Sequence, residues 1–287
     1  RDVMGTAYFA YSTNLAAKMA EIIGRMDVAE KYERLFGEIR RAFIEAYVFP
    51  DGRIKGETQT CYLLAIRFGL LDEKCKKLAA EHLVKDIERK GWHLSTGFVG
   101  VGYLLPVLSD MGYDEVAYRL LMNESYPSWG YSIKNGATTI WERWNSYTAE
   151  DGFGDVGMNS FNHYSLGSVG EWMYHYAAGI EADEMNPGYK HIRIRPRPNE
   201  AFRFVRAKYR SVLGDILSEW ELDGDVFRLN VEIPANTTAT VYLPCCDRES
   251  VRINGVGPGD SEYTDIIGYE NGCAVLRITS GVYHFET

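Results

Sequence analysis

A glutamate and a histidine in the segment 128–164 have the side chains that acid–base and binding chemistry would use. Glu142 lies between Trp141 and Arg143, and His163 follows further along the same segment. A positioned carboxylate can act as a general base, and aromatic rings with polar atoms suit stacking against sugar rings. Four of the chain's six tryptophans fall in this segment or just after it. This composition indicates a carbohydrate site, with core packing of the aromatic rings as the alternative.

The same segment is rich in residues that interrupt regular structure: Gly130, Asn135, Gly136, Gly152, Gly154, Asp155, Gly157, Asn159 and Asn162. Long irregular segments in compact domains are usually functional or disordered, and dense aromatic residues argue against disorder. We therefore expect a functional loop, in which Trp129, Trp141 and Trp144 are candidates for stacking on a sugar.

Composition restricts the classes of partner. The 287 residues are 46% hydrophobic and carry a net charge of -9, from 40 acidic and 31 basic residues. Because no cluster of basic residues offsets this charge, nucleic acid and anionic membranes are not expected as partners. No run of eighteen apolar residues is present, so the sequence predicts no membrane span.

The five cysteines have neither metal-like spacing nor an even count, so we predict no metal site and no disulfide framework. This usage favours a reducing compartment, and therefore a cytoplasmic location over a periplasmic or secreted one. The chain starts at Arg1 with residues typical of a helix interior close behind it. We expect the natural N-terminus to lie upstream.

Helical patterns of two kinds alternate along the first two thirds of the chain. One kind is apolar on all sides, at about 5–24, 57–70, 95–111 and 165–180; the other is amphipathic, at about 27–46, 72–90 and 114–124. Apolar helices are buried, whereas helices with one charged face lie on the surface. Short connections make sequential helices antiparallel neighbours.

This alternation predicts part of a helical toroid, with inner helices wrapped by outer ones. An ordinary bundle or a superhelical repeat array is the alternative, although no fixed repeat period is visible. In a toroid the polar segments 52–59, 91–96 and 159–163 would enter the inner helices at one end and line one cavity mouth. Glu142 and His163 would then face the same substrate.

The pattern changes after residue 187 to short alternating runs at about 191–195, 202–209, 216–222, 227–233, 239–243, 250–253, 274–278 and 283–285. Turn residues separate them, among them Asp223-Gly224, Pro234-Ala235-Asn236, Pro258-Gly259 and Asn271-Gly272. Such spacing predicts an antiparallel β-sandwich. We therefore expect two domains, 1–187 and 188–287. Basic residues between His191 and Arg210 form a stripe, which is more typical of a solvated strand face than of a site for an acidic partner.

Several segments, taken together and in order, resemble the bacterial α-L-rhamnosidases of glycoside hydrolase family 78. They are Pro127–Tyr131, Thr139-Ile140-Trp141-Glu142-Arg143-Trp144, Met158–Tyr164 and Ile192–Pro196, supported by Thr96-Gly97-Phe98, Tyr103-Leu104-Leu105 and Ile233–Asn236. The resemblance covers nearly the whole chain.

The resemblance implies a partial (α/α)6 toroid of about seven helices followed by a C-terminal β-sandwich. It also implies cofactor-free, inverting hydrolysis of terminal α-L-rhamnosyl bonds in rhamnose-containing glycosides or polysaccharides. By motif matching, Glu142 would be the general base and His163 would contact the sugar. Further candidates for substrate contact are Trp129, Trp141, Trp144 and Asn159.

One part of the family pattern is absent from the chain. The family's general acid lies in an earlier Asp-Cys-Pro and Gly-Trp-Thr-Gly-Asp region that this sequence does not contain. We expect that acid in an N-terminal part outside this chain, and we expect the chain alone to be inactive. Internal candidates are Glu57, Glu124, Asp151 and Asp155, each of which also suits a helix end or a turn.

Two other functions stay open at this stage. A different toroid enzyme, such as another glycosidase, a phosphorylase or a lyase, would keep the architecture and change the chemistry. A non-catalytic carbohydrate-binding fragment would keep the aromatic residues and need no base.

Overall fold

The computed structural model describes residues 2–245, 247, 249–257 and 264–287. They form two compact units, Arg1–Ser168 and Val169–Thr287. This division falls before the domain boundary expected near residue 187, which stays a prediction. The predicted turn at Pro258-Gly259 lies outside the described residues.

The first unit is helical. Its helices are α1 (Asp2–Ile22), α2 (Met26–Tyr47), α3 (Gln59–Arg67), α4 (Glu73–Arg89), α5 (Phe98–Asp110), α6 (Asp114–Met122) and α7 (Trp129–Lys134). Helix α1 packs on α2 and α3, α3 packs on α4 and α5, and α5 packs on α6. A short hairpin of β1 (Tyr147–Thr148) and β2 (Gly152–Phe153) follows α7.

Burial confirms the predicted alternation for most of these helices. Every residue of α3 except Thr60 and Arg67 is buried, whereas the amphipathic α2 buries only Ala29, Ile39 and Phe43. The expectation that α1 is buried on all sides is wrong: Met19 and Ile22 are 61% and 84% exposed. The reason is that α1 packs chiefly against two neighbours, α2 and α3, which cover one side of it.

Polar caps explain where several helices begin. Thr58 precedes α3 and accepts a hydrogen bond from the Cys61 amide, and Asp72 precedes α4 and accepts one from the Cys75 amide. Ser128 caps α7 in the same way. Each side chain satisfies an amide that has no partner within its own helix.

The apolar helix predicted at 165–180 is shorter and irregular. A 3-10 turn at Ser165–Ser168 is followed by the one-turn α8 (Val169–Trp172) and a π-helical turn at Met173–Ala177. The helix stops before Gly179, whose φ is +77° and whose added Cβ would lie 2.1 Å from the Pro196 amide nitrogen. Ile180 therefore begins a strand instead of ending a helix.

The second unit contains an eight-stranded sheet. Its strands are β3 (Ile180–Ala182), β4 (His191–Ile194), β5 (Phe204–Ser211), β6 (Gly214–Asp223), β7 (Val226–Pro244), β8 (Arg252–Ile253), β9 (Thr264–Glu270) and β10 (Cys273–Glu286). The pairing order is β3-β4-β7-β10-β8, with β5 on β6, β6 on β7 and β9 on β10. Strand β4 runs parallel to β7, which corrects the expectation of a purely antiparallel domain.

Strands β7 and β10 are each continuous where two shorter strands were predicted. The segment Pro234-Ala235-Asn236 does not end a strand but lies in a bulge of β7, between the pairs Ile233–Gly281 and Thr238–Thr279. The Thr237 hydroxyl donates to the Pro234 carbonyl at 2.6 Å and closes the bulge. The runs predicted at 227–233 and 239–243 are therefore one strand, as are those at 274–278 and 283–285.

The core of this unit consists of inward-facing residues of the sheet packed around the buried Trp220. The Trp220 indole donates to the Ala177 carbonyl at 2.7 Å, and the Ser218 hydroxyl donates to the Ala178 carbonyl at 2.6 Å. These bonds tie the π-helical turn to the sheet. In the basic stripe, Arg193 pairs with Asp183 and Arg195 lies over the Tyr242 ring, so both cations have partners in the chain.

Candidate active site

The loop after α7 folds back on itself and brings together residues that are distant in sequence. The His163 amide donates to the Ile140 carbonyl at 2.8 Å, and the Glu142 amide donates to the Ser160 carbonyl at 2.9 Å. The Thr139 hydroxyl also donates to the Phe161 carbonyl. Residues 139–142 therefore lie beside residues 160–163.

The Glu142 carboxylate has a fixed position in this loop. Its Oε2 accepts a hydrogen bond from the Ser160 amide at 2.7 Å, so Glu142 and Ser160 are joined by two hydrogen bonds. The side chain lines a depression of about 340 Å³, with Gly97, Phe98, Tyr126, Arg143, Trp144, Asn145, Met158 and Leu166. We call this the Glu142 depression; Glu142 is the one carboxylate among the described residues that line it.

Trp144 connects this depression to the start of α5. Its indole donates to the Thr96 carbonyl at 2.9 Å, and Thr96 and Thr60 share a hydroxyl hydrogen bond of 2.8 Å. Gly100 packs against both threonines, because an added Cβ would lie 2.1 Å from the Thr96 Oγ1 and 2.8 Å from the Thr60 Oγ1. The wall formed by Trp144 and the α5 terminus is therefore closely packed.

His163 lies in a neighbouring depression of about 630 Å³, the His163 depression. Its ring stacks on Phe98 with centroids 4.8 Å apart, and its Nδ1 accepts a hydrogen bond from the Ser165 amide at 3.3 Å. A neutral ring then carries its proton on Nε2. Phe98 lines both depressions, so Glu142 and His163 line adjacent spaces that share this residue.

The helices α1 and α5 supply further polar groups to the His163 depression, which the sequence predicted only as buried helix residues. Burial, together with a hydrogen bond to Tyr8, raises the pKa of Tyr103 to about 12, so this phenol is protonated at neutral pH. The Ser168 Oγ is buried and has no hydrogen-bond partner among the described residues. Aromatic walls with phenol and hydroxyl groups suit a saccharide.

Comparisons with known proteins agree with this geometry. Residues 1–177 match the family model of the bacterial α-L-rhamnosidase six-hairpin glycosidase domain, and residues 179–257 match that of the bacterial α-L-rhamnosidase C-terminal domain. The chain belongs to the bacterial α-L-rhamnosidase family.

Curated relatives and solved structures support the same assignment. The α-L-rhamnosidase of Streptomyces avermitilis is 45% identical over 99% of the chain, and one from Formosa agariphila is 40% identical over 99%. A crystal structure of the Streptomyces avermitilis enzyme complexed with L-rhamnose superposes on the whole chain with a TM-score of 0.93. The chain spans 26% and 31% of the lengths of the two curated relatives, and 27% of that crystallised chain.

In this family member, two of the tryptophans predicted to contact sugar are buried. Trp129 is 8% exposed and donates its indole N–H to the Leu166 carbonyl at 2.7 Å. Trp141 is 6% exposed and meets the Phe161 ring edge to face, with centroids 5.4 Å apart. Of the three predicted tryptophans, Trp144 is the one that lines the Glu142 depression. Sugar contact by Trp129 and Trp141 stays a prediction.

In this structure Asn159 makes a hydrogen bond within the loop. Its Nδ2 donates to the Ser146 carbonyl at 2.9 Å, while its Oδ1 is buried without a partner among the described residues. The same Ser146 carbonyl accepts the Gly154 amide at 2.9 Å. Asn159 therefore ties the β1–β2 hairpin to the residues beside Ser160, and its predicted sugar contact also stays a prediction.

The internal candidates for a general acid are engaged elsewhere. Glu57 lies 3.5 Å from Arg53, and Glu124 lies 2.5 Å from Lys134. Asp155 accepts the Gly157 amide at 2.9 Å, and Asp151 accepts the Thr148 hydroxyl at 3.4 Å. None of these four described carboxylates lines the Glu142 depression.

The described part of the chain contains neither a cluster suited to a metal ion nor a membrane-spanning helix. Within those ranges, no group of three or more His, Cys, Asp or Glu side chains is arranged to hold a metal ion. Nor do the described helices include one with the length and apolar character needed to cross a membrane. Cys61, Cys75, Cys245 and Cys273 are free thiols, and Cys246 lies outside the described residues.

Proposed function

We propose that this chain carries the general base of an inverting α-L-rhamnosidase, and that Glu142 is that base. The observation that carries the proposal is the double hydrogen bond between Glu142 and Ser160, because it fixes the carboxylate at the wall of an open depression. Oε2 is held by the Ser160 amide, whereas Oε1 has no hydrogen bond to a described residue. Oε1 is then the atom that takes a proton from the attacking water.

The proposed substrate is a terminal α-L-rhamnosyl group in a glycoside or polysaccharide. Family membership supports it, and the Streptomyces avermitilis relative was crystallised with L-rhamnose. The ring of the sugar lies beside Phe98 and Trp144, and the Nε2–H of His163 donates to a sugar hydroxyl. Trp129, Trp141 and Asn159 hold the loop that presents Glu142, consistent with their burial and their bonds to carbonyls.

An inverting mechanism needs a second carboxyl group roughly 6.5–9.5 Å from the base, to protonate the leaving oxygen. Glu142 has no carboxylate companion among the described residues that line its depression. We therefore propose that the general acid comes from a part of the protein that the described residues do not include.

The proposal is tested by replacing the base in a protein that contains this chain together with the part that supplies the general acid, here called the natural-length protein. We expect Glu142→Gln to lower kcat on a rhamnosyl disaccharide by about 10²–10⁴-fold with little change in KM, because the amide cannot accept the proton. Glu150→Gln is the matched control, since Glu150 is an exposed glutamate in the β1–β2 turn, and it should leave both constants unchanged.

The stereochemical outcome is a second test. Proton NMR of the first product formed by the wild-type protein should show the anomer opposite to that of the substrate. A retained anomer would rule out the inverting mechanism, and a Glu142→Gln variant with normal kcat would exclude Glu142 as the base.

A further inference from the structure

A third depression lies next to the Glu142 depression. It measures about 570 Å³ and is lined by Gly91, Trp92, Arg119, Met122, Asn123, Glu124, Ser125 and Lys134. The two spaces are close along the chain, because Ser125 lines this one and the adjoining Tyr126 lines the Glu142 depression. We call this space the Trp92 depression.

Trp92 is held in an unusual backbone conformation at this place. Its φ is +64°, a left-handed value that is rare for an aromatic residue. Two hydrogen bonds maintain it: the Trp92 amide donates to the Ile87 carbonyl at 2.9 Å, and Asn123 donates to the Trp92 carbonyl at 3.0 Å. Backbone strain of this kind is concentrated at functional sites.

Arg119 lies over the Trp92 ring, with its guanidinium carbon 3.8 Å from the ring centroid. No described carboxylate lies within ion-pair distance of Arg119, whereas the neighbouring Lys134 is paired with Glu124 at 2.5 Å. Stacking occupies the face of the guanidinium and leaves its N–H edge to donate. In a chain of net charge -9, this unpaired and oriented cation favours an anionic group.

The floor of the depression is fixed by side-chain hydrogen bonds. Asn123 accepts hydrogen bonds from the Ser125 amide at 2.9 Å and from the Ser125 hydroxyl at 2.7 Å. The Ser125 hydroxyl also lies 2.8 Å from the His93 Nε2. The polar groups around Arg119 are therefore held in place before any ligand binds.

We propose that the Trp92 depression binds the saccharide unit on the leaving-group side of the rhamnosyl bond, and that Arg119 recognises a carboxylate on that unit. The proposal rests on the proposed function for the position of the rhamnosyl group. It adds a preference for acidic sugars, such as a hexuronic acid next to the terminal rhamnose.

Equilibrium binding tests this preference without turnover. The natural-length protein carrying Glu142→Gln is titrated calorimetrically with a rhamnosyl hexuronic acid disaccharide and with the same disaccharide after reduction of its carboxyl group. We expect the acid to bind about tenfold more tightly, which is typical of a hydrogen bond to a charged group. Added Arg119→Gln should bring the two dissociation constants together, and the preference should shrink in high salt.

A control and a second variant make the test independent of Arg119 itself. Arg34→Gln changes a 71%-exposed arginine on α2 and should preserve the preference. Met122→Glu places a carboxylate in the depression without altering Arg119 and should abolish the preference, whereas Met122→Gln should retain it. Met122 is 49% exposed, so both replacements fit without repacking.

Equal binding of the two disaccharides by the unaltered depression would overturn the proposal. A preference that survives either Arg119→Gln or Met122→Glu would also overturn it, because the carboxylate would then be recognised elsewhere. These results are separate from a failure of the proposed function, which would show as unchanged turnover of a rhamnosyl disaccharide when Glu142 alone is replaced.

Discussion

At the scale of single residues, a general base is effective only when its lone pair points at the water it deprotonates. Two hydrogen bonds restrict the orientation of Glu142, the proposed base: the Ser160 amide donates to the Glu142 carboxylate, and the Ser160 carbonyl accepts the Glu142 amide. Both of these bonds are made by the main chain of Ser160, while its hydroxyl accepts the Asn162 amide at 3.2 Å within the same loop. The fold of the loop is therefore what positions Glu142.

A second cluster of titratable groups lies in the unit Val169–Thr287, where His175 is placed between two glutamates. Its Nδ1 lies 3.0 Å from the Glu171 carboxylate, and its Nε2 lies 3.5 Å from that of Glu181. Burial alone would lower the pKa of His175, but the hydrogen bonds to both glutamates raise it to about 9. The charged imidazolium thus links α8 and the π-helical turn to β3.

This cluster predicts a pH-dependent stability. Because the folded pKa is above the usual value of 6.5, the stabilisation is fully present below about pH 6.5 and is lost as the pH rises through about 9. We expect the melting temperature of the wild type to exceed that of His175→Gln at pH 6, and the difference to disappear by about pH 10. Differential scanning calorimetry across this range measures it.

His284→Gln is the matched control, because the His284 Nδ1 lies 2.7 Å from the Asn230 Oδ1 and the ring forms no ion pair with a described carboxylate. It removes a histidine without removing a contact to a carboxylate, so the difference between the two variants gives the part that is specific to His175. A wild-type advantage over His175→Gln that stayed constant, or grew, above pH 9 would contradict the assignment of a charged His175.

Some candidate site residues are indicated by short sequence motifs, whereas the positions of others are shown only by the fold. Glu142 and His163 belong to short motifs, which made them candidates, and their roles stay predictions. Trp129 and Trp144 look alike in sequence, and only the fold shows that one is buried while the other lines the depression. Tyr103 belongs to an apolar helix pattern, which indicates burial but not the hydrogen bond to Tyr8.

At the scale of elements, α3 shows how a helix cap supports the candidate site. Gln59, its first residue, is fully buried and bonds to the Asp86 carboxylate at 3.2 Å, the His93 carbonyl at 3.2 Å and the Ser95 amide at 2.6 Å. The segment before α5, which borders the Glu142 depression, is therefore fastened to the N-terminus of α3. Thr58 caps that terminus.

We expect Thr58→Ala to lower the free energy of unfolding by about 1 kcal/mol, because the Cys61 amide loses the Thr58 hydroxyl at 3.3 Å and keeps only the Thr58 carbonyl at 3.0 Å. Urea denaturation followed by circular dichroism at a helical wavelength measures the change. Thr58→Ser keeps the hydroxyl and should retain most of the stability. Equal losses for the serine and alanine variants would show that the threonine methyl group, and not the cap, is what stabilises α3.

Strand boundaries were harder to predict than helix boundaries, for a physical reason. Pro234 and Asn236 are turn-forming types, and Asn236 has the left-handed φ of +61° that turns favour. Both flanking runs nevertheless pair with the same strand, β10, so the turn residues form a bulge within β7. Pairing with a distant strand decides whether such residues end a strand or form a bulge, and the local sequence pattern carries no information about that pairing. The same holds for the parallel pairing of β4 with β7.

At the scale of the whole chain, the change of pattern near residue 187 correctly indicated a helical part followed by a strand-rich part. The compact units divide after Ser168, because α8 and the π-helical turn pack with the sheet through the Trp220 and Ser218 bonds. Composition alone assigned these helical residues to the helical part. Helical residues that pack against a sheet have the same composition as helical residues that pack against other helices, so composition does not separate the two.

The number of carboxylates at the Glu142 depression leads to a prediction for the 287-residue chain by itself. If Glu142 is the base, as proposed, no second described carboxylate lines that depression to protonate an alcohol leaving group. We expect the purified chain to release no rhamnose above background from a rhamnosyl disaccharide, whereas the natural-length protein does so. High-performance anion-exchange chromatography of the released sugar measures both.

A disaccharide is the decisive substrate, because its alcohol leaving group needs protonation, whereas an activated aryl group departs with little help from an acid. Circular dichroism showing helix and sheet in the chain under assay conditions is the control for folding. Turnover of the disaccharide by the chain, lost in Glu142→Gln, would place the acid inside these 287 residues. Glu57, Glu124, Asp151 and Asp155 would then be replaced one at a time to find it, and loss of turnover in one of them would move the complete acid–base pair into this chain.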